Sequence, residues 1–378
     1  MSNATPIPLG RLGSGLWALK TRLQFTGWLQ FLPSGVFASL FLIVAAIAKW
    51  LGASQAVVGV PLVIGGGFAF FFAFDLATGK FGLRPREAMP TALPAMDAFD
   101  LMRTRRSCRS FQPRPLTDAH RDRLVELARA GTAPEQLLGE HRIRFEYIAA
   151  PLTVWPVIGA KEFFVAIAPK EYSRTAVIDV GRSLQKVVLE ATRMGVATCW
   201  IGPGADHTSI LATLGERFDP HRDHIICVCA LGYRSRFIPV VLRLILSIQR
   251  RRLPLGELFF AEPTFRTPLD PEAEPFSEFG RCYEVCQWSP SSFNAQPTRA
   301  AAVTSTTDEG ERLARFDFAA STTSRFYAPV ALGIWLANWE TGCEALGIPG
   351  ALRILDEEER EVRDADELPR YDASWVAA

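Results

Sequence analysis

The side chains best equipped for chemistry lie in short stretches far apart in the chain. Residues 103–111 read RTRRSCRSF and place Arg105, Arg106, Ser107 and Arg109 within five positions. Guanidinium forks match phosphate oxygens bidentately, and a serine hydroxyl adds a further bond. The plainer reading of the same run is solvated basic surface. A second basic cluster, Arg250-Arg251-Arg252, ends an apolar segment. A helix C-terminus there would favour positive charge without any ligand. Residues 288–297, WSPSSFNAQP, gather Pro290, Ser291, Ser292, Asn294 and Gln296 around Phe293. That is turn-forming and hydrogen-bonding chemistry set between apolar segments. No Ser/His/Asp or Cys/His arrangement accompanies these runs, and the five histidines read as surface or satisfied core residues. The seven cysteines are irregularly spaced and form no CxxC pair, so they read as buried reduced thiols, not metal ligands or disulfides.

The elements that must position these residues follow from hydropathy and charge. The net charge of +1 gives no global field for nucleic acid. Hydrophobic residues make up 48 % of the 378, and the excess is local. No Asp or Glu occurs between Met1 and Phe74. Residues 1–33 form a basic leader, read as an interfacial amphipathic helix or a mitochondrial-type targeting sequence. Residues 34–76 hold two apolar runs, Ser34 to Leu51 and Gln55 to Phe74, each close to the roughly 20 residues a bilayer span needs. Basic residues flank the pair on its outer sides, which predicts a transmembrane hairpin with both termini on one side. One span plus a buried apolar helix is the alternative. Residues 77–96 hold three prolines and read as a linker. Residues 97–236 alternate helical and strand patterns, with strands predicted at 163–168 and 224–233 and a strong helix at 179–195, an α+β or α/β signature. An apolar connector helix and a proline-rich linker follow over 237–275, then a shorter unit over 276–355. Residues 356–378 form an acidic tail, in which 356–367 hold eight acids and two arginines and read as a solvated segment.

Four pieces together resemble the flavin-dependent nitroreductase family. RRSCRSF resembles its opening Arg-Arg-Ser-x-Arg motif, and DVGRSLQKVVLEATRMGVATCWIG its central helix and following turn. ALGYR resembles its closing strand, and SPSSFNAQP its Pro-Ser-Ser-x-Asn-x-Gln-Pro motif. The resemblance covers about residues 97–355. In ordinary members the Pro-Ser-Ser motif follows the arginine motif by a few tens of residues, and two subunits share each flavin. Here the expected position reads ARAGTAPEQLLGEHR, with only Ala133-Pro134 surviving, and the intact copy lies more than 150 residues later. The chain thus resembles the single-chain branch, in which two unequal halves form a pseudodimer with one complete site.

That resemblance implies an α+β nitroreductase-like fold and FMN as cofactor, with NADH or NADPH as co-substrate. Arg105, Arg106, Ser107 and Arg109 would meet the flavin from half one, with Ile201 and Gly202 as further contacts. Arg250 and Arg252 would help hold the phosphate, and Pro290, Ser291, Ser292 and Asn294 would cover the ring from half two. A cationic Arg109 near the N1–C2=O side would stabilise the charge that hydride reduction places there. No acid or base is required of the chain, because the flavin carries the redox step. Two positions depart from the pattern: Thr298 stands where a tryptophan is expected, and Ala331 where half one keeps Asp179. The expected function is a membrane-anchored, FMN-dependent NAD(P)H oxidoreductase acting on a quinone, nitroaromatic or similar small acceptor. The connector would dip into the interface with Arg250–Arg252 at the headgroups. The alternative is a non-catalytic accessory subunit of an inner-mitochondrial-membrane complex, respiratory or ATP synthase, that keeps the fold. Its partners would then be lipids and other subunits of that complex.

Overall fold

Asp97, Thr117, Ser173 and Asp206 each start a helix in the same way. Their side-chain oxygens accept the N–H groups of Asp100, His120, Ala176 and both Thr208 and Ser209, supplying partners the first helical turn lacks. The helices so begun are α3 (Ala98–Thr104), α4 (Asp118–Ala130), α5 (Arg174–Arg193) and α6 (His207–Leu214). The structure, a computed structural model, describes residues 23, 27–152, 154–202, 205–240, 242–244, 251–307, 310–360 and 369–378. The leader's first 22 residues, on which the targeting-sequence expectation rests, lie outside them.

Strands β1 (Arg144–Ala149), β2 (Glu162–Pro169), β3 (Ala197–Ile201) and β4 (Asp223–Gly232) form an antiparallel sheet of order β1-β2-β4-β3. The predicted strands at 163–168 and 224–233 are its two central members. The predicted helix at 179–195 is α5, which starts five residues earlier at the Ser173 cap. Cys227 and Cys229 share the face packed against α5, as their alternation requires. All seven cysteines are buried and free.

Half two repeats this plan. After α7 (Arg281–Gln287) come β6 (Thr298–Thr307), β7 (Gly310–Ala320), α8 (Tyr327–Leu346), β8 (Gly350–Arg353) and β9 (Arg370–Ala377). Their order in the sheet is β6-β7-β9-β8, the half-one order again, with the two-residue β5 (Phe259–Phe260) added parallel to β6. The short helix α9 (Glu357–Arg360) precedes β9. The chain therefore has a nitroreductase-like α+β fold of two unequal halves. The last residues correct the expected division, which ended half two at 355 and set 356–378 apart as an acidic tail. Residues 370–377 read RYDASWVA, and β9 supplies half two's counterpart of β4, with Ala373, Ser374 and Trp375 buried. The acids of 356–367 obscure a strand whose apolar residues only the finished sheet needs.

The two central helices cross at a glycine pair. A Cβ on Gly181 would stand 2.3 Å from the Val330 carbonyl oxygen, and one on Gly333 would stand 2.0 Å from that of Ile178. Each glycine thus faces the residue three before its counterpart, a two-fold arrangement built by one chain. The halves also interleave elsewhere. Phe99, Leu101 and Met102 of α3 belong to the half-two core, beside Phe279, Trp335 and Trp339.

The apolar runs form α1 (Leu32–Trp50) and α2 (Gln55–Asp75), the latter continued by a wide turn to Lys80. At 19 and 26 residues both are long and apolar enough to cross a membrane. Neither is a buried core helix: Val36, Leu40, Val60, Val63 and Phe70 are each more than half exposed. Gly65 allows α1 to approach α2 closely, its missing Cβ leaving room for Leu42, whereas Gly66 and Gly67 face open space.

Beyond Lys80 the predicted linker, 81–96, lacks helix and strand but is not free. Arg84 donates to the Phe111 carbonyl and to Ser235 Oγ, and Glu87 accepts from Ser235 Oγ and the Arg236 N–H. Farther on, Leu93 N–H donates to the Arg193 carbonyl. Of the connector helix, Val240 and Leu242–Leu244 are described as helical, and 245–250 lie outside the described residues.

Candidate active site

The arginine motif leaves α3 as an irregular edge beside half one's sheet. Ser107 bridges Thr198 in parallel, and Cys108 N–H donates to the Thr198 carbonyl at 2.8 Å. Arg109 and Phe111 exchange backbone bonds with Ile158, and Phe111 also bridges Arg234. The motif is therefore fixed by main-chain pairing, which leaves its side chains available. Ile201 ends β3 as a buried residue, and Gly202 follows beneath Tyr327, where a Cβ would lie 3.1 Å from the tyrosine ring.

The half-two motif adopts a costly backbone. Phe293, Asn294 and Gln296 all have positive φ, at 53°, 56° and 48°. For a bulky residue such as Phe293 this region costs on the order of 1 kcal/mol or more. Side-chain bonds hold the loop there. Arg252 Nη1 donates to the Ser289 carbonyl at 3.0 Å and to Asn294 Oδ1 at 2.8 Å. Asn294 Nδ2 donates to the Arg251 carbonyl at 2.8 Å, and Gln296 Oε1 accepts the Leu253 N–H at 3.0 Å. Ser291 Oγ accepts the Gln296 N–H, and Ser292 opens the tight turn to Asn294. Pro290 lines a cavity of about 10 Å³ with Thr298, Ala331 and Trp335. The expected acid in half two is absent for a visible reason. In half one, Asp179 accepts the Leu138 and Gly139 N–H groups and ties down the degenerate loop. Its counterpart, Ala331, instead borders that cavity beneath the intact motif.

A buried relay joins the halves behind the loop. Gln185 of α5 donates to Asn338 of α8 at 3.0 Å, and Asn338 donates to Ser289 Oγ at 2.7 Å. In front of it the charges crowd. The guanidinium carbons of Arg103, Arg106 and Arg252 lie 4.3, 5.7 and 5.3 Å from the centroid of Trp288. Burial first, then the neighbouring Arg252 and Arg106 charges, pushes the Arg105 guanidinium down to about 10. Burial and Arg106 lower Arg252 likewise. Arg105 Nη1, Arg109 Nε and Arg252 Nε are buried with no hydrogen-bond partner among the described residues. Arg103 has Glu284 as its counter-ion.

Arg105, Arg106, Arg252 and Asn294 are thus brought together from positions far apart in the sequence. Arg109 and Ser107 are fixed on the same motif strand. Arg250 lies outside the described residues. Arg252 is drawn inward to the half-two motif, which corrects its expected place at the headgroups: the Ser289 and Trp288 carbonyls and Asn294 offer a buried guanidinium the acceptors it needs. Sequence reasoning missed Trp288 and Tyr327. Trp288 directly precedes the Ser-Pro-Ser-Ser run, and its position before a polar loop was the available signal. Tyr327 packs edge-on to Phe293 at 6.3 Å, linking the half-two motif to Gly202 of half one. Nothing in its local sequence marks it.

Residues 97–342 match the family model described as "Putative TM nitroreductase". The chain belongs to this nitroreductase family. Among solved structures, a Thermotoga maritima chain described as a "putative nitroreductase" aligns at 17 % identity and TM-score 0.43, over 78 % of this chain and 97 % of that one. A Bacteroides fragilis nitroreductase with bound FMN aligns at 18 % and 0.31, over 37 % of this chain and 90 % of that one. A Clostridium difficile nitroreductase family protein aligns at 19 % and 0.33, over 43 % of this chain and 96 % of that one. Among curated proteins there is no match.

Proposed function

We propose that this nitroreductase is a membrane-anchored oxidoreductase that holds one FMN between its halves and is reduced by NADH or NADPH. The observation that carries this reading is the arginine cluster. Buried like charges repel, and a guanidinium N–H without an acceptor costs free energy. Arg105, Arg109 and Arg252 all bear that cost, which a bound phosphate or an electron-rich ring edge would offset. The residues fit the group. Arg105, Arg106 and Arg252 would hold the phosphate, with Arg250 nearby in sequence, and Arg109 would face the ring. Ser107, Ile201 and Gly202 would border it from half one, and Pro290, Ser291, Ser292 and Asn294 from half two. When bound, FMN supplies hydride transfer. The chain's share is to bind and orient it, and to place positive charge where reduction puts negative charge. The acceptor class is a quinone, nitroaromatic or similar small molecule. The exposed apolar surface of α1 and α2 supports the membrane anchor, which would keep the site beside lipid-soluble acceptors.

The test is a visible spectrum of the gently purified full chain, followed through addition of NADH and then NADPH. Flavin absorbance bleached by either is the expected result. A colourless protein that co-purifies with a large membrane complex overturns it in favour of an accessory subunit. Arg109→Ala and Asn294→Ala, one from each half, are each expected to abolish flavin retention. Flavin kept by both variants would reject the shared site.

A further inference from the structure

The hairpin is bound to the redox domain by a built joint. Phe31, at the head of α1, is 1 % exposed and packs with Ile158 and Leu242. Gly79 leaves room for the Phe31 ring, which a Cβ there would approach to 2.8 Å. Asp75 Oδ2 accepts the Val240 N–H at 3.1 Å, and Phe74 packs on Phe237 at 6.3 Å. Ser110 Oγ donates to the Phe237 carbonyl at 2.6 Å, and Arg84 donates to the Phe111 carbonyl. Hairpin, connector and arginine motif therefore meet at one point.

Around this joint the surface changes from apolar to basic. Phe81, Leu83 and Leu244 are exposed by 63, 71 and 58 %, continuing the apolar surface of α2 beyond its end. Lys80 lies over the Trp28 ring, Arg236 over Phe237, and Arg86 and Arg243 are exposed. Glu87 accepts from Ser235 and the Arg236 N–H, and Asp75 accepts the Val240 N–H and also faces Arg243, so one carboxylate offsets part of the four cations' charge. Cations at the level where an apolar belt ends, beside half-buried aromatics, match the boundary between hydrocarbon and headgroups.

We propose that this face of the joint, with Lys80, Arg86, Arg236 and Arg243 around Phe81, Leu83 and Leu244, seats anionic phospholipid headgroups. It holds the redox domain against the bilayer in one orientation. This rests on the membrane-anchor reading of α1 and α2. The test uses the full chain in nanodiscs of phosphatidylcholine alone or with added phosphatidylglycerol, and measures hydrogen exchange of segments 80–89 and 236–244. Slowing of at least about fivefold with the anionic lipid is expected, the factor that ~1 kcal/mol from a single basic side chain at an anionic surface gives. Arg86→Glu with Arg243→Glu should remove the difference. Equal exchange in the two discs, or slowing that survives the double substitution, overturns the seat and leaves the anchor intact. Slowing by inorganic phosphate alone in phosphatidylcholine discs, equal to that of the anionic lipid, would mark a free-phosphate site and also overturn it. A chain that does not enter either disc removes the anchor and the seat together.

Discussion

Arg105 is held at a cost to the fold, and that cost gives the sharpest residue-scale prediction. Its guanidinium is lowered to about 10 from 12.5, so the folded state disfavours its charged form. Between those values the unfolded chain keeps a proton the folded chain has shed, and stability contributed by this group rises with pH across that window. At pH 7 the whole penalty is present. Arg105→Met should therefore raise the melting temperature of flavin-free protein by about 2 °C, roughly 1 kcal/mol for a domain of this size, while weakening flavin retention. Calorimetry of the apo form beside a flavin titration checks both signs. A variant less stable than the parent would mean that Arg105 is a structural residue and not a strained one. RRSCRSF makes the proposed anion-binding role legible, because the residue types are local. The cost of Arg105 is not legible in full, since it comes first from burial and then from Arg252, far along the chain; only the share of Arg106 is local.

At the scale of elements, the crossing of α5 and α8 decides whether the halves assemble. Gly333→Ala places a methyl group against the Ile178 carbonyl and the Arg182 N–H. Overpacking of this kind costs about 1–3 kcal/mol or more, and backbone atoms cannot rotate aside as side chains do. Gly67→Ala, in open space, should be neutral to folding, so urea titrations of the two variants separate a packing glycine from a permissive one. The same crossing carries a buried ion pair. Arg182 donates from Nε and Nη2 to Glu340, and Lys186 joins them at 3.0 Å. These cations hold the Glu340 carboxyl below its usual 4.5 despite burial. A depressed carboxylate contributes stability that is present above its unfolded value and lost as pH falls through the folded one. Glu340→Gln should cost about 3 kcal/mol at neutral pH, because Arg182 is left buried and uncompensated. The difference from the parent should shrink below pH 4.5, read from unfolding curves at several pH values. The periodicity of α5 shows that it is buried. Which face meets α8, and that Glu340 is its counter-charge, follows only from packing.

For the whole molecule, the duplicated sheet order makes the C-terminus part of the core. Trp375 is 1 % exposed, packs edge-on to Phe279 at 5.4 Å, and fills the space above Gly350. Trp375→Ala should cost about 3–5 kcal/mol. Truncation before Arg370 removes the strand between β7 and β8 and should leave half two unfolded, seen as insoluble protein or loss of near-ultraviolet dichroism. A harmless truncation would restore the division that ends half two at 355. The interleaving of the halves has a further consequence: because α3 packs into half two's core, damage at β9 should also weaken the arginine motif that follows α3.

The sequence by itself determined the class of the protein: two apolar runs of spanning length, a nitroreductase-like α+β plan in two unequal halves, and the two motifs with their residues. The apolar runs rest on composition, and the plan and motifs rest on the resemblance of short stretches to the family; all of these are local. Tertiary structure decided what is non-local. It turned Arg252 inward, because buried carbonyls and Asn294 offered acceptors there. It brought Trp288 and Tyr327 to the motifs, and it placed β9 in the sheet, because β7 and β8 left room for one strand between them. It also bound the hairpin to the arginine motif through Ile158 and Phe237. No spacing in a linear chain encodes that contact, because it depends on where two independently legible elements come to rest.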